Sequence, residues 1–199
     1  KFKGIEQSDS VVMDPHKTLF IPYGSGAVLI KNREVLLASN SGKAAYMKDA
    51  YEQEQINPSD TSPELSRHFR GLRMWLPLHL HGVKAFRANL EEKLLLCRYF
   101  HKEIGLLGFE TGPEPELSVA LFRYPGVKSN VLNQKLMDAL HADGRVFFSS
   151  TMIDGKLWIR CAIVSFRTHL DEIKLALQMI REASNCVKEE TNISRKVQS

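Results

Sequence analysis

The sequence predicts an α/β fold in which the last third of the chain forms a small α+β domain. Two apolar runs near the N-terminus, at 10–14 and 27–30, are rich in β-branched residues and adjoin a proline or a glycine, which is typical of short buried strands. The last third alternates strand and helix patterns in the order β-α-β-β-α, which favours a sheet covered by helices. With 43% hydrophobic and 25% charged residues among 199, the composition is globular and excludes wholesale disorder.

The N-terminal third is predicted to contain three short strands, at 10–14, 19–21 and 27–30. Proline and glycine at 22–26 indicate a turn between the second and the third strand. Three short strands with such tight connections indicate the edge of a larger sheet.

The middle of the chain combines a long polar segment with helical patterns. Residues 39–66 show no sustained apolar period, and a loop of this length in a compact protein is usually functional or disordered. Leucine and tryptophan spacing predicts a helix over 69–80, which Pro77 is expected to kink or interrupt. Gly82 separates this helix from a longer amphipathic helix that begins at Val83.

The last third carries the clearest signals. The predicted elements are strands at 117–124, 146–153 and 157–164, with a helix at 130–141. Asp154-Gly155 predicts a tight hairpin, because both positions tolerate positive φ. Thr168 followed by Asp171 resembles a capping box that starts a final helix. Residues 188–199 mix both charges and are expected to form a solvated polar tail.

Charge and cysteine usage limit the classes of function. The net charge of +4 is mild and scattered, so nucleic acid is not expected as a partner, and no run approaches the roughly 18 apolar residues of a membrane span. The cysteines are Cys97, Cys161 and Cys186. Because they are far apart and odd in number, a reducing, cytoplasmic location is expected. His79 and His81 lack partners in a metal-binding pattern, so surface or packed histidines are favoured and no metal site is predicted.

One short segment carries a chemical signal. Lys17 follows Pro15 and His16 just beyond the first predicted strand. A lysine held at a strand end can be partly desolvated, which disfavours the ammonium form, and a neutral amine can form a Schiff base with a carbonyl compound. From the residues alone, an ordinary surface lysine remains the alternative.

Several motifs together resemble the group II pyridoxal-phosphate-dependent decarboxylases. This family includes the decarboxylases of aromatic amino acids, glutamate, histidine and cysteine sulfinate. The residues that carry the resemblance are Asp9-Ser10, Pro15-His16-Lys17, the run from Arg67 to Trp75, His81-Gly82-Val83-Lys84 and Leu157-Trp158-Ile159-Arg160. The resemblance covers most of the chain, up to about the final helix.

The resemblance implies a domain organisation. Residues 1–73 are expected to be the C-terminal part of a large domain of the type I fold of pyridoxal-phosphate-dependent transferases, with a catalytic loop at about 40–62. Residues 74–187 are expected to form the small C-terminal α+β domain with its linking helix, followed by the tail at 188–199. Since the family's cofactor-stacking histidine and ring-pairing aspartate lie upstream of the lysine, this polypeptide alone is expected to bind pyridoxal phosphate weakly and to lack useful activity.

The resemblance also implies roles near the lysine. Lys17 is the expected Schiff-base residue, and His16 is expected beside the phosphate of pyridoxal 5'-phosphate. Many family members have asparagine where this chain has Asp14. A carboxylate near a phosphate dianion is repulsive, so Asp14 is expected to point away or to have another part.

More distant residues receive roles by the same resemblance. Tyr46, in the polar loop, is the expected acid that returns a proton to the substrate α-carbon in the neighbouring subunit's site, and Tyr51 is its rival. Arg67 matches a family arginine near the active site, where its planar guanidinium suits a carboxylate or a phosphate. Tyr23 and Ser25 are expected to line the pocket or the subunit interface.

The implied function is pyridoxal-phosphate-dependent decarboxylation of an amino acid by a cytoplasmic homodimer, with this chain carrying the Schiff-base lysine. The chain is expected to pair with a second copy or with the missing N-terminal portion, and not with nucleic acid or a membrane. A first alternative is a non-catalytic fragment that acts only as a folding or interaction module. A second is another enzyme of the same cofactor class, such as a different lyase or an aminotransferase.

Overall fold

The structure is a computed structural model that describes residues 2–40, 56–126 and 129–197, with the backbone alone given for 190–197. The chain divides into two compact units, Lys1–Val83 and Lys84–Ser199. The domain boundary expected from the sequence, at 73/74, lies within a long helix that crosses this division.

The first unit contains two strands and two short helices. Strands β1 (Ser10–Met13) and β2 (Ala27–Ile30) pair in antiparallel fashion. Helix α1 (Pro15–Thr18) follows β1 directly, and helix α2 (Arg33–Ser39) follows β2. The strands predicted at 10–14 and 27–30 are confirmed to within a residue.

The strand predicted at 19–21 is wrong. Pro15 occupies the first position of α1, where its fixed φ favours a helical turn, so the chain turns away after β1. Phe20 then has a φ of 58°, which an extended strand cannot contain. The apolar run reflects burial and not strand pairing, because the side chain of Ile21 is buried. In the described part of the unit, the sheet therefore has two strands and not the three that were expected.

The long polar segment contains more structure than its composition indicates. Its first residue, Ser39, ends α2, whose N-terminus is capped by Asn32. A single turn of 3-10 helix at Pro58–Thr61 is held by a capping box between Asn57 and Asp60. Residues 41–55 lie outside the described part of the chain.

Helix α3 (Arg70–Leu106) contains both helices that the sequence predicts on either side of Gly82. Gly82 has φ 73° and ψ 153°, and it interrupts the helical backbone as expected. Pro77 does not interrupt the helix, since the residue with non-helical angles is Gly82. Glycine adopts positive φ without steric cost, whereas the fixed φ of proline is itself compatible with helical backbone.

The second unit is an antiparallel sheet with helices, as predicted. Its elements are β3 (Glu110–Thr111), β4 (Val119–Arg123), α4 (Ser129–Asp143), β5 (Ser149–Ile153), β6 (Lys156–Ala162) and α5 (Leu170–Val197). The strand order is β3-β4-β6-β5. Asp154 and Gly155, with φ values of 49° and 71°, form the predicted tight turn between β5 and β6.

Phenylalanine side chains form the centre of the core of the second unit. Phe122 is fully buried, and its ring meets Phe100, Phe109 and Phe148 edge-on at centroid distances of 5.7, 5.4 and 6.2 Å. Edge-to-face pairs add to the stabilisation from buried area. Burial raises the pKa of Cys97 to about 11 and that of Cys161 to about 12, so both core cysteines are neutral thiols at physiological pH.

The final helix starts one residue later than predicted. The Thr168/Asp171 capping box is wrong: α5 begins at Leu170, and the backbone N–H of His169 donates to Glu172 Oε2 at 2.8 Å. Glutamate has one more methylene group than aspartate, which lets it reach back across the first turn.

A buried lysine holds the segment before α5 against α3. Lys93 Nζ donates to the Thr168 carbonyl at 2.5 Å and to Glu92 Oε2 at 2.8 Å, and the other oxygen of Glu92 accepts from His169 at 2.7 Å.

At the C-terminal end of α5, the backbone stays helical through 188–197, where a polar tail was expected. In the described ranges, no helix is both long and apolar enough to cross a membrane.

Two adjacent phenylalanines provide a matched test of this core. Phe148 is 1% exposed and Phe147 is 82% exposed. We expect Phe148→Ala to lower the free energy of unfolding by about 3–5 kcal/mol and Phe147→Ala by less than about 1 kcal/mol. Urea unfolding followed by Trp158 fluorescence, in a Trp75→Phe background, measures both. Equal losses in the two variants would contradict the burial described here.

Candidate functional site

A turn at 22–26 anchors the cluster around the candidate lysine. Arg73, on α3, donates a hydrogen bond from Nη1 to the Tyr23 carbonyl at 2.8 Å. Gly24 has a φ of 80°, and a Cβ at this position would lie 2.5 Å from Arg73 Nη1. The positive φ favours glycine at this position, and an added Cβ would also make the end of the Arg73 side chain shift.

The turn holds the imidazole of His16 from two directions. The rings of His16 and Tyr23 stack with centroids 4.7 Å apart, and His16 Nδ1 lies 3.0 Å from the Ser25 carbonyl oxygen. A carbonyl oxygen can only accept, so Nδ1 carries the hydrogen in this contact. These contacts bring three of the predicted residues, His16, Tyr23 and Ser25, into one cluster.

Lys17 lies beside this cluster and carries its charge. Its Nζ is 2.5 Å from Asp14 Oδ2, and its side chain is 63% exposed. The hydrogen bond and charge of Asp14 raise the pKa of Lys17, and Lys17 lowers the pKa of Asp14 in return. The expected desolvation at a strand end is wrong, because Lys17 lies in a short exposed helix with a carboxylate one turn before it. The amine is therefore held as an ammonium group.

Ser25 contributes a buried polar atom. The residue is 4% exposed, and its Oγ has no hydrogen-bond partner among the described residues. A buried hydroxyl without a partner is unusual in folded proteins and is a candidate for contact with a bound group.

Arg67 belongs to a second feature of the same unit. An open cleft of about 1050 Å³ is lined by 57–59 and 61–71 together with Gly26 and Val28. Within it, Arg67 Nη1 donates to Ser62 Oγ at 2.6 Å. Lys17 and the His16 cluster are not among the lining residues of this cleft, so the structure does not bring Arg67 together with them.

The neighbouring arginines have structural partners. Arg70 forms an ion pair with Glu64, in which Nη2 lies 3.1 Å from Oε1. Tyr46 and Tyr51 lie outside the described residues, and their predicted roles stay predictions. Across the described ranges, no group of three or more histidine, cysteine, aspartate or glutamate side chains is arranged to hold a metal ion.

Sequence reasoning missed two contacts at this site. The Asp14–Lys17 pair has i, i+3 spacing, which is a signal only once residues 15–18 are recognised as helical. The contact between Arg73 and Tyr23 joins residues 50 positions apart. No local pattern in a single sequence indicates a contact of that range.

The requirement for glycine in the turn is testable. We expect Gly24→Ala to destabilise the paired strands by about 1–2 kcal/mol, because alanine at positive φ is strained and its Cβ would displace Arg73 from the Tyr23 carbonyl. Amide hydrogen exchange in β1 and β2 should then accelerate by roughly five- to thirtyfold. Gly26→Ala is the matched control, because an added Cβ there meets nothing within 4 Å. Equal exchange in the two variants would contradict the requirement.

Comparisons with known proteins show what the chain is similar to. An aromatic-L-amino-acid decarboxylase of Bacillus atrophaeus is 31% identical over 96% of this chain and 41% of its own length. A phenylacetaldehyde synthase of Arabidopsis thaliana is 26% identical over 92% of this chain and 39% of its own length. The chain thus spans about 40% of the length of these curated relatives.

The fold of the chain is shared with a solved structure. The crystal structure of Oryza sativa TDC with PLP and tryptamine matches with a TM-score of 0.85, at 21% identity over 92% of this chain and 40% of that chain. The predicted α/β class is confirmed at this level. Residues 1–125 match the family model described as the pyridoxal-dependent decarboxylase conserved domain. This matched range contains β1, α1 and the turn at 22–26. The chain therefore belongs to the pyridoxal-dependent decarboxylase family.

Proposed function

We propose that this chain is the C-terminal portion of a pyridoxal-phosphate-dependent amino acid decarboxylase, and that Lys17 is its cofactor lysine. In this proposal the first unit is the end of the large domain, and the second unit is the small C-terminal domain. The observation that carries the proposal is the accessible primary amine of Lys17 beside the fixed imidazole of His16, within the family-matched residues.

The described residues fit both the aldehyde and the phosphate of the cofactor. An aldehyde requires a primary amine that it can reach, and the Lys17 side chain is 63% exposed. A phosphate requires hydrogen-bond donors, and the segment offers the unpartnered buried hydroxyl of Ser25, together with Nε2 of His16 when the imidazole carries both protons. The carboxylate of Asp14 opposes phosphate binding, since its charge repels a phosphate dianion.

The residues of this chain then have distinct tasks. When bound, pyridoxal phosphate supplies the electron sink for breaking the bond to the substrate carboxylate. Lys17 holds the cofactor through its amine and gives up a proton before doing so. His16 donates from Nε2 toward the phosphate when its imidazole carries both protons, and Tyr46 returns a proton to the substrate α-carbon. Arg67 supplies a planar cation for a carboxylate that binds in the open cleft that this arginine lines.

The proposed assembly is a homodimer, or an association with the N-terminal portion, in the cytoplasm. Apolar side chains on the two-stranded sheet support an association, because Val12, Val28 and Leu29 are more than half exposed. The cytoplasmic proposal rests on cysteine chemistry, since Cys97, Cys161 and Cys186 are all free.

Two other functions keep specific support. The non-catalytic fragment is favoured by the charged, solvent-exposed state of Lys17, which is the unreactive form of an amine. A different reaction of the same cofactor class is favoured by the similarity to a phenylacetaldehyde synthase. Product analysis with an added amino acid separates the second from decarboxylation, because amine and carbon dioxide are the products expected of a decarboxylase.

Reductive trapping on the chain tests the assignment of Lys17. After incubation with pyridoxal phosphate and reduction with borohydride, we expect the label on the peptide that contains Lys17. Lys17→Arg should reduce the total label at least about tenfold, because a guanidinium does not form a stable bond with the aldehyde. Lys31→Arg is the matched control, since Lys31 is another exposed lysine of the same unit, bonded to the Glu6 carbonyl. Label spread equally over the surface lysines would refute the assignment.

A further inference from the structure

Asp14 is placed to control the amine of Lys17. It occupies the N-cap position of α1, where an aspartate usually accepts from backbone N–H groups of the first turn. Here its side chain makes no capping bond, and its Oδ2 lies 2.5 Å from Lys17 Nζ instead. The backbone N–H of Lys17 also donates to the Asp14 carbonyl at 2.9 Å, which fixes the two residues one turn apart.

Few charged or titratable groups of the described residues act on this pair. His16, from α1, favours the charged form of Asp14, and Tyr23, from the turn, favours the charged form of Lys17. Both effects are smaller than the mutual effect of Asp14 and Lys17. The Tyr23 ring itself stacks on the imidazole of His16. Asp14 is therefore the dominant partner of the Lys17 amine.

The protonation state decides whether the amine can react. An ammonium nitrogen has no lone pair, so it must first release its proton to Asp14 or to water. The neutral nitrogen then adds to the aldehyde carbon, a C=N bond forms, and the aldehyde oxygen leaves as water. A group that stabilises the ammonium form therefore slows this step at every pH at which the amine is protonated.

We propose that Asp14 is a positioning residue that holds the Lys17 amine as an ammonium group and so sets the pH above which it condenses with an aldehyde. This inference rests on the proposed function only in its choice of aldehyde, pyridoxal phosphate. It assigns a task to the carboxylate that stands where many family members have asparagine.

The test measures the initial rate at which Lys17 becomes labelled by reductive trapping, as a function of pH. Asp14→Asn removes the charge and keeps the size, whereas Asp14→Glu keeps the charge. Glu34→Gln is the matched control, since it removes one exposed negative charge of the same unit away from α1. Labelling of Lys31 in the same molecules is the internal reference, and circular dichroism confirms that each variant is folded.

We expect Asp14→Asn to raise the initial rate at Lys17 by about two- to fivefold near neutral pH, the range of an exposed ion pair. The difference should vanish at alkaline pH, where the amine is neutral in both proteins. Asp14→Glu and Glu34→Gln should label like the parent chain. Because Asp14 also repels a phosphate, the series is repeated with pyridoxal, which lacks that group, and the same increase is expected.

Three results would overturn the inference: an unchanged rate in Asp14→Asn, an increase that persists at alkaline pH, or an increase with pyridoxal phosphate but not with pyridoxal. The last would mean that Asp14 acts on the phosphate and not on the amine. Failure of the proposed function has a different signature. In that case pyridoxal phosphate labels Lys17 no faster than Lys31 in the parent chain, while the effect of Asp14→Asn with pyridoxal is still measurable.

Discussion

The hydrogen bond from Arg73 to the Tyr23 carbonyl is the constraint on which the candidate site depends. It ties the turn at 22–26 to α3, and the absence of a Cβ at Gly24 leaves room for the guanidinium. From that turn, the Tyr23 ring and the Ser25 carbonyl hold the imidazole of His16. The residue after His16 is Lys17, so the position of the amine follows from a contact between residues 50 positions apart.

The site combines two properties that oppose each other. Exposure lets an aldehyde reach Lys17, but the nearby carboxylate of Asp14 keeps the amine protonated. Condensation with an aldehyde needs both access and a lone pair on the amine. Here the Lys17 side chain is accessible, but Asp14 favours the ammonium form, which has no lone pair.

Local chemistry made much of the fold predictable from the sequence. Asp154-Gly155 predicted a hairpin because few residue pairs accept positive φ at two consecutive positions. Gly82 predicted the break in α3 for the same steric reason. The run at 19–21 failed because apolar character indicates burial and not strand pairing, and Ile21 is buried without pairing.

The candidate site was predictable in part. His16 and Lys17 came from a motif whose members are neighbours in sequence. Tyr23 was expected to line the pocket or the subunit interface, and its ring stacks on the imidazole of His16. The electrostatic state of Lys17 was not predictable, because it depends on whether the segment after β1 is strand or helix. The anchoring role of Arg73 depends on a long-range contact, which a single sequence does not encode in any local pattern.

The most direct measurement is a crystal structure of the protein that contains this chain, reduced with borohydride in the presence of pyridoxal phosphate. We expect continuous electron density from Lys17 Nζ to the cofactor, with the imidazole of His16 beside the phosphate. Density that joins the cofactor to a different lysine, or a phosphate remote from His16, would contradict this expectation.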